Sequence, residues 1–258
     1  MAGETAFLEL ARLFEALEET TKRNEKKALI SSFFQRLEKE EIQPVVSFLT
    51  GRVFPEADPR ILEVGERTIW EIMKNSKQTI LTKKKITILE ATEYFNNISK
   101  LKGKGSRRKR QNLAESLLSQ ATSLEQKYFI RLILGEMRIG VVEGITLEAI
   151  ADASSLELGL VRRANMLLGN LGKVAEIALQ RGVEDLKNVS LNLFQPIKPM
   201  LAEMSYDLEE VFSKHKGRTG FEFKYDGARV QIHLKKDKVK IFSRSLTDVT
   251  ISIPEIVV

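Results

Sequence analysis

The residues best equipped for covalent chemistry lie late in the chain, in Glu222-Phe-Lys-Tyr-Asp-Gly-Ala-Arg229. Strand alternation through this run puts Glu222 and Lys224 on one face and Phe221 and Phe223 on the other. Asp226-Gly227 then breaks the strand and lets the backbone turn. A lysine at such a bend, beside an acid and an arginine, is a candidate nucleophile. A free amine titrates near ~10.4, so at neutral pH it is almost wholly protonated. A neighbouring cation, either Arg229 or a bound metal, disfavours the ammonium form and exposes the lone pair. Spacing and composition alone favour the plainer reading, an exposed hairpin lysine.

A second group of residues suits binding rather than bond-making. Positions 102 to 110, Lys-Gly-Lys-Gly-Ser-Arg-Arg-Lys-Arg, hold six basic residues and no acid. The chain of 258 residues has 41 Lys and Arg against 35 Asp and Glu, a net +6, so this one stretch equals the whole excess. Concentrated positive charge on a near-neutral body fits a polyanionic partner, and a solvated loop fits it equally well.

Other chemistries are excluded by absence. Cysteine is missing, which removes disulfides and thiolate metal sites, and two histidines, His215 and His233, do not make a histidine-rich zinc centre. No apolar run approaches the ~20 residues of a membrane-spanning helix. Met1-Ala2-Gly3-Glu4 opens neither a leader nor a lipidation motif, which leads to the expectation of a cytoplasmic protein. Gly172-Lys173 fails as a phosphate loop, since Leu167 stands at the first glycine position and Val174 follows the lysine. Gly103 and Gly105 fail the dinucleotide pattern, since Arg108 stands where a third glycine is required. No nucleophile elbow supports a serine–histidine–carboxylate arrangement.

Two kinds of element must position these residues. Up to about residue 190 the apolar spacing is helical. Phe7, Leu10, Phe14 and Leu17 mark a first helix, and Ile30, Phe33, Phe34 and Leu37 a second. Pro44 is read as the first residue of a short helix ending at Gly51. Ile69, Trp70 and Met73, then Ile88, Leu89, Ala91, Tyr94 and Phe95, mark further helices whose aromatic and Met positions are read as core. A helical region runs from Asn112 to about Met137, divided near Thr122 by a capping box of Ser123 and Gln126. Helices around Leu147 to Ala153 and Leu160 to Ala178 follow. Beyond Pro196, Pro199 and Gly220 the period becomes two, with Lys235-Lys-Asp-Lys238 turning a hairpin. The boundary is set at residue 191. The later part, with two or three strands and almost no helix, is too short to close a pocket by itself.

Five segments resemble, in order, one family: the ATP-dependent DNA ligases, most closely the archaeal replicative type. Lys224-Tyr-Asp-Gly-Ala-Arg229 is similar to the nucleotidyl-lysine motif shared with mRNA-capping relatives. Pro196-Ile-Lys-Pro-Met-Leu-Ala202 resembles the entry to the adenylation domain, and Ile241-Phe-Ser-Arg-Ser-Leu-Thr-Asp-Val-Thr250 the next element, with its arginine at Arg244. Leu134-Gly-Glu-Met-Arg-Ile-Gly140 and Leu49-Thr-Gly-Arg-Val-Phe-Pro55 resemble segments of the helical DNA-binding domain.

The resemblance implies an all-α DNA-binding domain at 1–191, followed at 192–258 by the first β-strands of an α+β nucleotidyltransferase domain, incomplete. It implies that Lys224 takes up AMP from ATP, with Mg2+ as the ion, and passes it to the 5′-phosphate of nicked duplex DNA. Glu222 matches the acid at the adenine amine, Arg229 the arginine at the ribose, and Arg244 the arginine at AMP and later at the nick phosphate. Lys102, Lys104, Ser106, Arg107, Arg108, Lys109 and Arg110 fit sequence-independent DNA contacts, with Ser106 or Asn112 opening a helix toward a phosphate. A nuclear-import signal is the competing reading of Arg107 to Arg110. The resemblance further implies a monomer, with a sliding clamp as an added partner and no membrane. The later family elements (a metal-linked glutamate, an aromatic on adenine, two lysines and the OB-fold) have no counterpart before Val258. Were the 258 residues the entire polypeptide, little or no ligation is expected. The alternatives are a non-catalytic DNA-binding module and a capping or RNA-ligase relative.

Overall fold

The computed structural model describes residues 4–56, 58–75, 85–200 and 204–256. Met1 to Gly3, and Leu201 and Ala202 of the Pro196 segment, lie outside the described residues. The chain is mostly helical, with one small two-stranded sheet. Among the described residues no helix is long and apolar enough to cross a membrane.

Eleven helices precede residue 190 among the described residues: α1 (Phe7–Glu19), α2 (Arg23–Phe34), α3 (Lys39–Leu49), α4 (Glu66–Asn75), α5 (Ile88–Lys100), α6 (Ser106–Gln120), α7 (Ser123–Leu134), α8 (Glu143–Ser154), α9 (Leu158–Leu168), α10 (Leu171–Gln180) and α11 (Val183–Lys187). Their apolar stripes bury one continuous core. At its centre Phe7 stacks on Phe129 with ring centroids 3.9 Å apart, and Phe48 meets Phe95 edge-on at 5.7 Å. Burying each such ring contributes about 1.5–3 kcal/mol. Polar anchors fix the ends. Glu41, fully buried, accepts from the Thr5 amide at 2.6 Å and the Thr5 hydroxyl at 2.7 Å.

Several elements differ from their sequence reading. The third helix starts at Lys39, and Pro44 lies inside it, because Glu38 and Glu41 form a capping box upstream of the proline. Trp70 and Met73 are not core: they are 62% and 42% exposed, while Ile69 and Ile72 face inward. The box at the start of α7 is Thr122 with Glu125, one residue ahead of Ser123 and Gln126. The run from Leu160 to Ala178 is two helices, because Gly169 adopts φ +57° and Asn170 caps the next helix through the Lys173 amide. Asn112 falls within α6, which Ser106 opens.

After residue 190 come α12 (Leu208–Lys214), β1 (Val230–Lys235) and β2 (Lys238–Ser243), then single 3-10 turns at Thr250–Ser252 and Pro254–Ile256. The expectation of almost no helix here is corrected by α12, which Asp207 caps through the Glu209 amide. The two strands pair antiparallel, Val230 opposite Ser243 and Lys235 opposite Lys238, so the hairpin turns at Lys236 and Asp237 as the sequence suggests. The expected strand at Phe221 to Lys224 is absent. A strand needs a partner for its backbone groups, and β1 pairs with β2 alone. Phe221 and Phe223 accordingly stand 68% and 86% exposed.

Candidate functional site

The loop after β2 is braced from within. Asp248 accepts from the Thr250 amide at 3.0 Å and pairs with Lys240, while the Ser243 amide donates to the Thr247 carbonyl at 2.9 Å. Lys240, and then the Thr250 donors, hold the Asp248 carboxyl down to about 2. Leu246, buried and with φ +65°, leans on the end of α9, where its Cδ1 stands 3.1 Å from the Cβ position of Gly169. With the loop thus folded, Arg244 faces the start of β1. Arg229 and Arg244 line one open concavity of about 740 Å³, shared with Val230, Ser243, Ser252 and Ile253. Two guanidiniums, with their planar forks of donors, can grip the phosphates or ribose of a nucleotide.

Glu222 and Lys224 lie outside that lining. Both are exposed, and neither has a hydrogen-bond or ion-pair partner among the described residues. Gly227 forms the expected bend between them and Arg229. Among the described residues no three His, Asp or Glu side chains gather as a metal cage. The concavity of Arg229 and Arg244 holds no carboxylate among the described residues, so its lining does not fit a protein-held Mg2+.

The basic stretch folds as a turn running into α6. Gly103 and Gly105 take φ +82° and +81°, with nothing within 4 Å of their Cβ positions, so the backbone there is bare. Lys102, Lys104, Arg107, Arg108 and Lys109 are exposed and have no ion-pair partner among the described residues; Ser106, the first residue of α6, is half-buried. Arg110 differs from its neighbours. Its side chain is only 11% exposed, pairs with Glu63 and donates to the Leu101 carbonyl at 2.5 Å. On α6 it faces the loop before α4, which carries Glu63.

Two features had no role in the sequence reading. The Leu49–Pro55 and Leu134–Gly140 segments, noted separately, meet where a Cβ added at Gly51 would lie 3.6 Å from the Met137 side chain. Lys198, within a quoted motif, bridges Glu56 at 2.9 Å and Glu143, tying the linker to the helices. Its position between prolines marked an extended segment, but partners so distant in sequence left no local signal.

The family model for the DNA ligase N terminus matches residues 6–76 and 68–151, and that for the ATP dependent DNA ligase domain matches residues 199–258. The chain is 35% identical over 280 residues to a DNA ligase of Thermococcus fumicolans, covering 97% of this chain and 50% of the relative. It is 34% identical over 281 residues to one from Archaeoglobus fulgidus, covering 97% and 50%. To one from Methanopyrus kandleri it is 33% identical over 275 residues, covering 95% and 49%. The chain thus spans about half the length of these relatives.

Proposed function

This chain belongs to the ATP-dependent DNA ligase family, and from that premise we propose that it serves the sealing of nicks in duplex DNA through an AMP-bearing lysine. The helical residues 1–191 would grip the duplex, and residues 192–258 would begin the nucleotidyltransferase domain. The Lys224 amine, having lost its proton, attacks the α-phosphate of ATP; a nitrogen–phosphorus bond forms and pyrophosphate leaves. Arg229 and Arg244 hold the ribose and phosphate in line and spread the charge on the equatorial oxygens. Glu222, an acceptor, suits the adenine amine. AMP then passes to the 5′-phosphate of the nick, and the 3′-hydroxyl displaces it. Lys102, Lys104, Ser106, Arg107, Arg108 and Lys109 supply phosphate contacts indifferent to sequence, as sealing arbitrary nicks requires. The same reading has the protein act in the cytoplasm as a monomer, with a sliding clamp as a further partner.

The observation that carries this reading is the convergence of Arg229 and Arg244 on one concavity. Incubation with α-phosphate-labelled ATP and magnesium tests it. Label on Lys224, lost in Lys224→Ala, is the expected result. Nicked-duplex binding without any lysine label would favour the second reading, a DNA-binding module without catalysis.

A further inference from the structure

Five residues, Phe194 to Lys198, join the helices to the hairpin, and both of their sides are held. On the helical side the acceptors are backbone carbonyls at the end of α9. The Lys198 amide donates to the Met166 carbonyl at 2.9 Å, and the Gln195 side chain to the Leu168 carbonyl at 2.6 Å. On the hairpin side two side chains of β1 take the place of a strand ladder. Gln231 accepts from the Ile197 amide at 3.0 Å and donates back to the Ile197 carbonyl. His233 Nδ1 accepts from the Phe194 amide at 2.9 Å. Alternation along β1 places both on one face. Phe194 is held at φ +68°, a left-handed conformation that a bulky residue keeps only when its surroundings impose it.

We propose that this joint is a releasable clasp: neutral His233 holds the hairpin to the linker, and protonation at Nδ1 frees the Phe194 end. An imidazole accepts at Nδ1 only while that nitrogen is unprotonated, and it is the side chain that changes charge between about pH 5 and 8. Charged groups share the face of the ring: Lys235 two residues along β1, and Lys238 and Lys240 on β2. On β2, Lys240 stands directly opposite His233, and Lys238 lies 4.7 Å over the Phe194 ring. Asp248, the nearby acid, is committed to Lys240. The Phe242 ring, 5.1 Å away, carries no charge, and residues 192–197 carry no titratable side chain. On the helical side Lys198 is neutralised by Glu56 and Glu143. An imidazolium here therefore loses its donor partner. Release loosens the Phe194 end of the joint, while Gln231 keeps its two bonds to Ile197. The clasp stands on this geometry whether or not the groove takes a nucleotide.

Amide exchange measured by NMR on the full chain at pH 8 and pH 5, each corrected for its intrinsic rate, tests it. Protection of the Phe194 amide should fall about tenfold, the scale of one lost hydrogen bond. The Lys198 amide, bonded to Met166, should keep its protection. Ring nitrogen shifts should show Nδ1 of His233 unprotonated at pH 8. His233→Phe, which keeps a ring against Phe242, should leave Phe194 unprotected at both pH values. A proton on Nδ1 at pH 8, or equal protection of Phe194 at both pH values, would overturn the clasp. Parallel loss at Lys198 would overturn it too, because the helical side would then be opening as well. The wild-type measurements decide the matter even if the variant fails to fold.

Discussion

Neighbouring residues of the basic stretch differ in burial and pairing, and mutation should separate them. Arg110→Ala removes a charged hydrogen bond and leaves Glu63 unpaired, so it should lower stability by about 1–2 kcal/mol while leaving the salt dependence of DNA binding unchanged. Arg107→Ala and Arg108→Ala should leave the melting temperature nearly unmoved and each reduce the salt slope of duplex binding by about one. Binding isotherms at several salt concentrations, beside thermal melts, check both. Glu18 gives a pH signature. Arg131, then Lys127, hold its carboxyl down from 4.5 to about 2. A carboxyl lowered by folding stabilises the native state fully above its unfolded value and loses that contribution as pH falls through the folded one. Stability should therefore decline between about pH 4.5 and 2, and Glu18→Gln should flatten that part of a melting profile.

The junctions between elements are where single substitutions should matter most. Gly169 ends α9 at φ +57°, and an added Cβ would lie 2.8 Å from the Pro196 carbonyl oxygen. Gly169→Ala therefore combines left-handed strain with a backbone clash and should cost about 1–3 kcal/mol. It should also lower the exchange protection of the Lys198 amide, whose acceptor Met166 lies in the last turn of α9. Thr122→Ala removes the cap of α7, where the hydroxyl accepts from the Glu125 amide, at a cost of about 1 kcal/mol measured by chemical denaturation. These caps also show how far element reading reaches. The serine and glutamine at 123 and 126 located a helix start to within one residue. The register between Thr122 and Ser123 depends on which hydroxyl faces the amide, and composition does not reveal that.

Across the whole molecule, burial is divided unevenly. The continuous core draws on residues between Phe7 and Val189, while Ile241, Phe242 and Leu246 are the buried apolar residues found beyond it among those described. A fragment ending at residue 190 should thus keep a cooperative thermal melt within a few degrees of the full chain, as circular dichroism would show. A fragment of 191–258 should not fold alone, because its hairpin leaves Ile232 and Leu234 exposed and lacks the support that Leu246 and the linker take from the end of α9.

The sequence by itself determined what depends on local pattern. Helical spacing through Phe7, Leu10, Phe14 and Leu17, the change to a period of two at Val230, the turn at Lys236-Asp237 and the cluster of six cations could all be read without coordinates. So could the residue types around Lys224, since their chemistry is intrinsic to the side chains. Tertiary structure decided everything that turns on neighbours distant along the chain: Trp70 outward, Arg110 inward, Lys198 between Glu56 and Glu143, and Arg229 beside Arg244 across the hairpin. It also decided that Phe221 to Lys224 form no strand, because alternation supplies a face but not the second backbone that a strand's hydrogen bonds demand.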